Sequence, residues 1–367
     1  MNDTYQLRIY NAAGALQYIV TDFVALRYTN LVNAAGLCVF TVSGNHPIVS
    51  DLDLDWQVEV WRSNPVDEDT PTGTWAADFR GFFRDEMRNS DNDGQSFFTA
   101  YCPAQISLLG RRDIAWAAQT TDRTIFTSEP AETIAKTLVS YNAGANATTG
   151  NGRIRTGTIT GLSVETDGAN GNTLDWNCFG VNLLETLTAI ARVGDGDFDL
   201  VKTGATAWEF RWYDGHLGTD RSASVRFSLP LGNMSNPVLR RHRMSERTVA
   251  IVAGQGEGSG RSFVTRTGEN YAVGTNDIEI MIDARDVSTT NGLNARGDVR
   301  LDEVEARDDL TFDVIQTPAS RYNYHYFLGD LVTGVYQGVS STKKIHAVTI
   351  DFDAEGNEQI TVELQNA

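Results

Sequence analysis

The chain has 367 residues, 41% of them hydrophobic, and a formal net charge of -18 at pH 7. This length predicts two to four domains, and the acidic balance disfavours simple electrostatic binding of nucleic acid. The sequence opens without a basic and apolar leader and contains no apolar run of about 18 residues, so we expect a soluble protein made in the cytoplasm.

Arginine supplies nearly all of the positive charge. Among the 30 basic residues, the lysines are Lys136, Lys202, Lys343 and Lys344. Protein interfaces are enriched in arginine and depleted in lysine, so the bias fits an assembly protein. Base composition of the source genome explains it equally well, and both interpretations stay open.

The cysteines Cys38, Cys102 and Cys178 are odd in number, widely spaced and set among apolar residues. This pattern indicates buried thiols that act as small hydrophobic side chains. It argues against a disulfide framework and against a metal site.

Residues 1–118 are predicted to be almost entirely β-strand. Alternating segments, divided by turns such as Ala13-Gly14, return at short and even spacing, which is typical of a small barrel or sandwich. The predicted strands cover residues 5–10, 16–20, 23–28, 38–42, 54–62, 75–84 and 96–102. We expect the last two to form a hairpin closed by residues 89–94, after a polar loop at 63–71.

The segment 119–235 changes to an α+β pattern. One helix opens near Ser128 and stops at residues 142–144, with Ile134 and Leu138 on its apolar face. A second helix has Asn182 as its N-cap, Glu185 in capping-box position and Gly194 as its end. Strands at residues 198–201 and 208–213 follow, and residues 143–171 are predicted to be a long loop with at most one short strand pair.

The C-terminal third returns to β-structure around a predicted helix. A strand is expected at residues 248–253, a helix or two short ones at 291–307, and a final β block at 311–364. Tyr322, Tyr324 and Tyr326 alternate with polar residues, which predicts a strand with one aromatic face. A tight turn at Gly329-Asp330 then starts another strand.

The two β blocks share an order of parts. Residues 55–61 precede a predicted hairpin of residues 79–83 and 96–100, and residues 330–336 precede one of residues 345–350 and 359–364. This order predicts an internal duplication. The alternative, that any two small β-barrels show the same rhythm, stays open.

No catalytic or metal-binding motif stands out, and we predict a protein that is not an enzyme and holds no cofactor or metal. Residues 51–55 and 195–199 begin like calcium loops, but their sixth and twelfth positions lack glycine and glutamate. Residues 254–258 are rich in glycine without the lysine and helix start of a phosphate loop. None of the five histidines has a zinc-type partner four residues on. Carboxylate pairs of the glycoside-hydrolase kind would meet only in the fold.

The basic cluster of Arg240, Arg241 and Arg243, with Arg247 nearby, is unusual in so acidic a chain. Three interpretations stay open, namely a solvated strand face, pairing with acids of another subunit, and contact with nucleic acid.

In their order, these parts resemble the hub proteins of phage tails. That family comprises tail-tip proteins of siphophages, which are similar in fold to the central baseplate hub of contractile tails. The resemblance covers nearly the whole chain and is carried by residues 58–62, 78–82, 183–193, 197–200, 282–286 and 327–332.

The resemblance implies a mainly β fold with α+β insertions, built from two tail-tube-like β-barrel domains. The first barrel would be residues 1–118, and an α+β domain would follow at 119–235. The second barrel would combine residues 236–258 and 311–367 around a small inserted domain with a helix at 259–310.

It also implies a homotrimer that forms a pseudo-hexameric ring in the virion, at the tail tip, with a role in viral attachment and entry. The ring would join the six-fold tail tube or distal tail protein to the three-fold tip, where a spike, a fibre or other tip proteins bind. The tape measure protein would be a further neighbour. DNA would pass through the lumen during ejection without specific binding, and an acidic lumen would favour that passage by repulsion.

We therefore expect structural or interface roles, and no catalytic or cofactor role, for ten residues. They are Trp61, Arg62, Phe82, Arg240, Arg241, Arg243, Asp283, Arg285, Gly329 and Asp330.

Two other functions stay open. A glycan-binding β-protein of the virion would expose tryptophans such as Trp75 and Trp116 as a platform for receptor binding. A cell-wall hydrolase would show two facing carboxylates in an open cleft. Some relatives continue into a peptidase or glycan-binding region, whereas this sequence stops at residues 363–367 after its last predicted strand, so we expect no cell-wall cleavage.

Overall fold

The computed structural model describes residues 4–64, 74–117, 123–285, 287, 289–353 and 355–367. The chain divides into two compact units, which we call unit 1 (Met1–Ser235 with Asp313–Ala367) and unit 2 (Asn236–Phe312). The finer division into four domains stays a prediction. Asp286, part of the predicted hub motif, and most of the polar loop at 63–71 lie outside the described residues.

The first part of unit 1 is almost entirely β-structure, as predicted. Its elements are β1 (Tyr5–Tyr10), β2 (Leu16–Val20), β3 (Ala25–Leu31), β4 (Leu37–Ser43), α1 (Ile48–Asp51), β5 (Gln57–Asn64), β6 (Thr74–Phe82), β7 (Asp85–Ser90), β8 (Ser96–Pro103) and α2 (Ser107–Gly110). Strand β1 alternates buried and half-buried residues because one face packs on the core. A four-stranded sheet has the order β2-β1-β5-β6.

The middle of unit 1 contains two helices and short strands. Its elements are β9 (Thr124–Pro130), α3 (Ala131–Asn142), β10 (Leu162–Val164), β11 (Thr173–Cys178), α4 (Leu183–Gly194), β12 (Gly196–Gly204), β13 (Ala207–Asp214) and β14 (Arg226–Ser228). Strands β10, β13 and β12 form one sheet, and β11 pairs with β9. Ile134 and Leu138 of α3 are fully buried in a core shared with Leu187 and Ile190 of α4, which confirms the predicted apolar face of α3.

The predicted N-cap of helix α4, Asn182, is confirmed. The Asn182 side chain accepts hydrogen bonds from the backbone N–H groups of Leu184 at 3.1 Å and Glu185 at 3.4 Å. These bonds satisfy two of the donors that a helix N-terminus leaves unpaired. At the other end, Asp195 adopts a left-handed conformation with φ 53° and ends the helix one residue after Gly194.

We expect Asn182→Ala to lower the free energy of unfolding by about 1 kcal/mol, because both cap bonds are lost. Chemical denaturation monitored by circular dichroism measures the change. Asn182→Asp is the control, since aspartate also accepts these bonds, and we expect it to retain most of the stability. An equal loss in both variants would assign the effect to the second contact of Asn182, its 2.9 Å donation to the Gly110 carbonyl.

The described residues of unit 2 form a three-stranded sheet, a two-stranded sheet and one α-helix. Strand β15 (Met234–His242) leads into the unit, followed by β16 (Val249–Ala253), β17 (Phe263–Thr267), β18 (Glu279–Asp283), α5 (Thr290–Glu303) and β19 (Arg307–Val314), which pairs with β15. Strand β16 lies between β17 and β18 and contributes Ala250 and Val252 to a core that includes Leu293 and Leu301 of α5. The predicted helix is confirmed.

The final strands of unit 1 are β20 (Leu331–Tyr336), β21 (Val339–Phe352) and β22 (Glu358–Asn366). They do not form a separate sheet. Strand β21 pairs antiparallel with β3, from Ala347 opposite Leu31 to Phe352 opposite Leu26. The result is an eight-stranded sheet of order β14-β20-β21-β3-β4-β8-β7, with β22 also paired to β21. The N-terminal and C-terminal β blocks therefore share one sheet.

The prediction of two separate closed barrels is wrong in this respect. Every sheet in the described part of the chain is an open series of strands, and none returns to pair with its first strand. Closure depends on strand tilt and stagger across the whole sheet. Alternating residues report only that one face of each strand is buried, so they cannot specify closure.

The predicted hairpin of residues 75–84 with 96–102 is also wrong. Strand β8 pairs with β7 and β4, whereas β6 pairs with β5 in the other sheet. The chain changes sheet at Phe83, and residues 91–95 form the turn between β7 and β8. Both segments carry aromatic residues that reach the core, and that similarity made them look like partners.

The aromatic segment is a turn rather than the predicted strand. Tyr322 and Tyr326 are 4% and 0% exposed, whereas Tyr324 between them is 45% exposed. Asn323 has a φ of 65°, a left-handed conformation that folds the chain back. The prediction for Gly329 is confirmed, because its φ of 84° forms the tight turn before β20.

The cysteines are buried, as predicted. Cys38 and Cys102 lie opposite each other on β4 and β8, and both are fully buried. Burial raises the pKa of both thiols, which makes them unreactive. Among the described residues, no helix has the length and apolarity needed to cross a membrane.

Candidate assembly site

A buried carboxylate at the start of β20 fastens two segments of unit 1. Asp330 is 1% exposed and accepts hydrogen bonds from the backbone N–H of Thr219 at 2.6 Å and of Phe327 at 2.8 Å. Arg221 Nε donates at 2.7 Å to Oδ2, the same oxygen that accepts from Phe327. Three donors satisfy this buried charge, so Asp330 holds the loop before β14 against the turn at Gly329.

Asp197 on β12 forms a second junction. It is fully buried and accepts hydrogen bonds from Asn33 Nδ2 at 2.7 Å, the Leu217 N–H at 2.8 Å and Lys344 Nζ at 2.9 Å. These donors come from the loop after β3, the loop after β13 and strand β21. One carboxylate therefore joins the N-terminal β block, the α+β layer and the C-terminal β block.

Glu59 on β5 forms a third junction. Lys202 Nζ of β12 donates to it at 2.8 Å and Trp61 Nε1 at 2.7 Å. Burial would raise the pKa of Glu59, but the hydrogen bond and charge of Lys202, the Trp61 hydrogen bond and the charge of Arg80 together outweigh burial and hold this pKa below its ordinary value. The four-stranded sheet is thus tied to the α+β layer by an ion pair.

The lysines are the signal that the sequence interpretation missed. Lys202 and Lys344 bind the carboxylates of two junctions, and Lys136 donates to Glu132 and, at 3.2 Å, to Glu165. Lys343 is 2% exposed and donates to Asn366. Every lysine of the chain therefore has a partner inside unit 1, and their rarity in the sequence marks these positions.

Three of the predicted residues lie inside unit 1 rather than on an open surface. Phe82 is 5% exposed and packs against Trp208 with ring centroids 5.5 Å apart. Arg62 is 9% exposed and pairs with Glu358 at 2.8 Å. Trp61 is half-buried beneath the Arg8 guanidinium, which lies 3.7 Å from the ring centroid. Gly329 and Asp330 also lie in unit 1, at the turn before β20.

The other predicted residues are exposed on elements of unit 2. Arg240, Arg241 and Arg243 lie on or just after β15. Asp283 is the last residue of β18 and Arg285 follows the strand. The two are paired at 3.4 Å, and both side chains are exposed. Their role in subunit contacts stays a prediction.

Two sheet edges of unit 1 are open to partners. All six side chains of β7 are exposed, and its outer edge has no neighbour among the described strands. Strand β2 is an edge of the four-stranded sheet and exposes Leu16 and Ile19. Open edges of this kind pair with other chains.

The platform expected for a glycan-binding protein is not present at Trp116. Its side chain is 8% exposed and stacks on Tyr141 with ring centroids 4.1 Å apart. Trp116 therefore belongs to the core of unit 1.

Two carboxylates, Asp78 and Asp199, do line one cavity of unit 1. Burial raises the pKa of both groups. Asp78 already accepts hydrogen bonds from Tyr28 at 2.6 Å and Tyr322 at 3.3 Å, so it anchors the buried tyrosines. Within the described ranges, no three or more His, Cys, Asp or Glu residues are grouped so that they could hold a metal ion.

Comparison with known proteins agrees with this architecture. The family model described as Siphovirus ReqiPepy6 Gp37-like protein matches residues 6–364. No curated protein matches the sequence.

Solved structures of tail proteins share the fold. The 43 kDa tail protein of prophage MuSo2 from Shewanella oneidensis has a TM-score of 0.57 at 12% identity, over 98% of both chains. Prophage tail protein gp18 from Listeria monocytogenes has a TM-score of 0.55 at 11% identity, over 98% of this chain and 94% of that one.

A third similar structure comes from a secretion system. The E. coli c3393 protein has a TM-score of 0.50 at 9% identity, over 98% of this chain and 76% of its own. It is a type VI secretion component with structural similarity to the T4 bacteriophage tail proteins gp27 and gp5.

Proposed function

The chain is a phage tail protein of the Siphovirus ReqiPepy6 Gp37-like family, and on that premise we propose that it is the hub of the tail tip or baseplate. In this proposal three copies form a ring that joins the six-fold tail tube or distal tail protein to a three-fold tip. A spike or fibre and the tape measure protein are its other neighbours, and DNA passes through the lumen.

One observation carries the proposal, namely the antiparallel pairing of β3 with β21. It joins an N-terminal and a C-terminal β block edge to edge within one chain. Three such chains would offer six β blocks around one axis, which matches a six-fold ring on one side and three-fold symmetry on the other. The buried junctions at Asp330, Asp197 and Glu59 support this role because they hold both blocks on a common α+β layer.

A structural role is also supported by the proteins that share the fold, since tail proteins predominate among those named above. The net charge of -18 would suit a lumen that repels DNA. Placement of the acidic excess on the outer wall of the assembled ring would count against that part of the proposal.

The decisive experiment is the copy number and symmetry of this chain in assembled tails. Cryo-electron microscopy of purified tail tips should show three copies at the end of the six-fold tube. A ring of six copies, a single copy, or a position along the tube would overturn the hub assignment.

The open edge of β7 gives a test by substitution. We expect Met87→Lys to weaken subunit association by about tenfold or more, because a lysine on an exposed edge opposes strand pairing. Met87 is 46% exposed, so the melting temperature should hardly change. Analytical ultracentrifugation measures the association, and Ile154→Lys is the control, at a loop position that is 71% exposed. If both variants self-associated as strongly as the parent protein, β7 would be excluded from the interface.

A further inference from the structure

One cavity of unit 1 is lined by charged and aromatic side chains that the junctions do not use. It has a volume of about 380 Å³ and lies between the end of β5, the segment after β19, the tyrosine turn and β22. We call it the Arg62 cavity. The residues that matter for its chemistry are Arg62, Pro318, Arg321, Tyr322, Tyr324 and Glu358.

Arg62 lines this cavity and is the buried arginine of its wall. Its Nη2 donates to Glu358 at 2.8 Å, and its guanidinium lies 5.7 Å from the centroid of the Tyr5 ring. Its Nη1 is buried and has no hydrogen-bond partner within the described part of the chain. A buried charged donor without a partner is costly, so an acceptor arriving from outside would relieve that cost.

Arg321 supplies the excess positive charge. Its backbone is held by the turn, since its N–H donates to His325 Nδ1 at 3.0 Å and its carbonyl accepts the His325 N–H at 2.9 Å. Within the described ranges the Arg321 side chain has no ion pair. Glu358 is already engaged by Arg62 and by the Tyr5 hydroxyl. Among the described residues that line the cavity, two arginines and one glutamate leave one positive charge in excess. The further acid that acts on Arg62 is Asp78, which lies outside the lining and already accepts hydrogen bonds from Tyr28 and Tyr322.

The remaining walls of the cavity suit a planar group, such as a carboxylate, at the end of a short aliphatic side chain. Tyr322 is buried and Tyr324 is half-exposed at the cavity. Pro318 adds an apolar wall. Guanidinium groups match the planar fork of a carboxylate better than any point-like anion, and they bind it by two parallel hydrogen bonds.

We propose that the Arg62 cavity binds the carboxylate of an acidic side chain from a partner protein. The choice of a protein as the source rests on the proposed function, because a tail hub must bind neighbouring tail proteins. The carboxylate chemistry does not depend on it and follows from the two arginines.

The test uses two blocked peptides, acetyl-Ala-Ala-Glu-Ala-Ala-amide and the same peptide with glutamine in place of glutamate. NMR titration of the full chain measures binding. We expect the glutamate peptide to bind saturably and the glutamine peptide to bind about tenfold more weakly or not at all. Arg321→Gln should lose about tenfold in affinity for the glutamate peptide. Arg27→Gln is the matched control, because Arg27 is an exposed β3 arginine outside the cavity, and it should bind as the parent does.

Several results would overturn the proposal. Equal binding of the two peptides, or undiminished binding by Arg321→Gln with its fold intact, would exclude a carboxylate site. Tighter binding of inorganic phosphate or galacturonate would assign the cavity to a phosphate or an acidic sugar. Because Arg62 is buried, Arg62→Lys is the second variant, and retention of full affinity would remove Arg62 from the site.

A further variant tests whether the chain fills its own cavity. Asp67, Glu68 and Asp69 lie outside the described residues, a few positions after Arg62. The triple variant Asp67→Asn, Glu68→Gln and Asp69→Asn removes their three charges, and the partner proposal would fail if only this variant bound the glutamate peptide. None of these peptide-binding outcomes changes the copy number expected for the hub proposal. If the copy number in the tail differed from three while peptide binding was intact, the hub proposal would fail and the carboxylate site would stand.

Discussion

Replacing Asp330 with alanine is expected to lower the free energy of unfolding by about 3–5 kcal/mol. The carboxylate is buried and accepts from Arg221 and from the N–H groups of Thr219 and Phe327. Its removal leaves two backbone donors unpaired and a guanidinium without its partner. The Arg221 side chain is 34% exposed, so partial rehydration should keep the loss near the lower end. Urea denaturation at neutral pH measures it.

The control is Asp220→Ala, one residue from Arg221. Asp220 is exposed and accepts a bond from the Ser222 N–H at 2.9 Å, so its loss should cost about 0.5 kcal/mol or less. A double-mutant cycle with Arg221→Ala separates the free-energy contribution of the Asp330–Arg221 ion pair from that of the backbone hydrogen bonds. Losses from Asp330→Ala and Asp220→Ala of the same size would show that the junction at β20 does not stabilise the fold.

The helices could be predicted from the sequence because their signals are local. The Asn182 cap lies beside the helix it starts, and the apolar residues of α3 and α4 recur within one turn. Helix α5 could be placed for the same reason. Each of these features depends on residues that lie only a few positions apart.

The aromatic segment could not be assigned in this way. Alternating tyrosines fit a strand, but the two buried ones meet side by side with ring centroids 6.0 Å apart in a turn. Tyr322 donates to Asp78, which lies 244 residues earlier in the chain. The local sequence pattern does not indicate a contact with a residue so far away in the chain. The pairing of β3 with β21 was missed for the same reason.

The candidate site was predictable only in part. Gly329 was correctly assigned to a bend, because a turn that needs a positive φ favours glycine. Structural or interface roles are predicted for Arg62 and Phe82, and the structure shows that both side chains are buried in unit 1. The junction residues Glu59 and Asp197 resemble any other acids of the sequence until their lysine partners come into contact.

The second large effect is expected at Glu59, whose replacement by glutamine should cost about 3 kcal/mol at neutral pH. Glutamine keeps the shape of the side chain and removes the charge that balances Lys202, 2.8 Å away. Both side chains are largely buried, with 5% and 14% exposure. An unpaired ammonium in this position is therefore poorly hydrated. The control is Glu209→Gln on neighbouring β13, because the Glu209–Arg211 pair is partly exposed and should contribute about 0.5 kcal/mol or less.

The pH dependence identifies the charge as the cause. The pKa of folded Glu59 is lowered, whereas in the unfolded chain the group titrates near its ordinary value of about 4.3. A lowered pKa stabilises the fold above the unfolded value, and this contribution is lost as the pH falls through the folded value. The difference in free energy of unfolding between the parent protein and Glu59→Gln should thus be constant from neutral pH to about 5 and shrink below about 4.3. A difference that stayed the same in acid would mean that Glu59 acts by packing, because a protonated glutamate and a glutamine fill the same space.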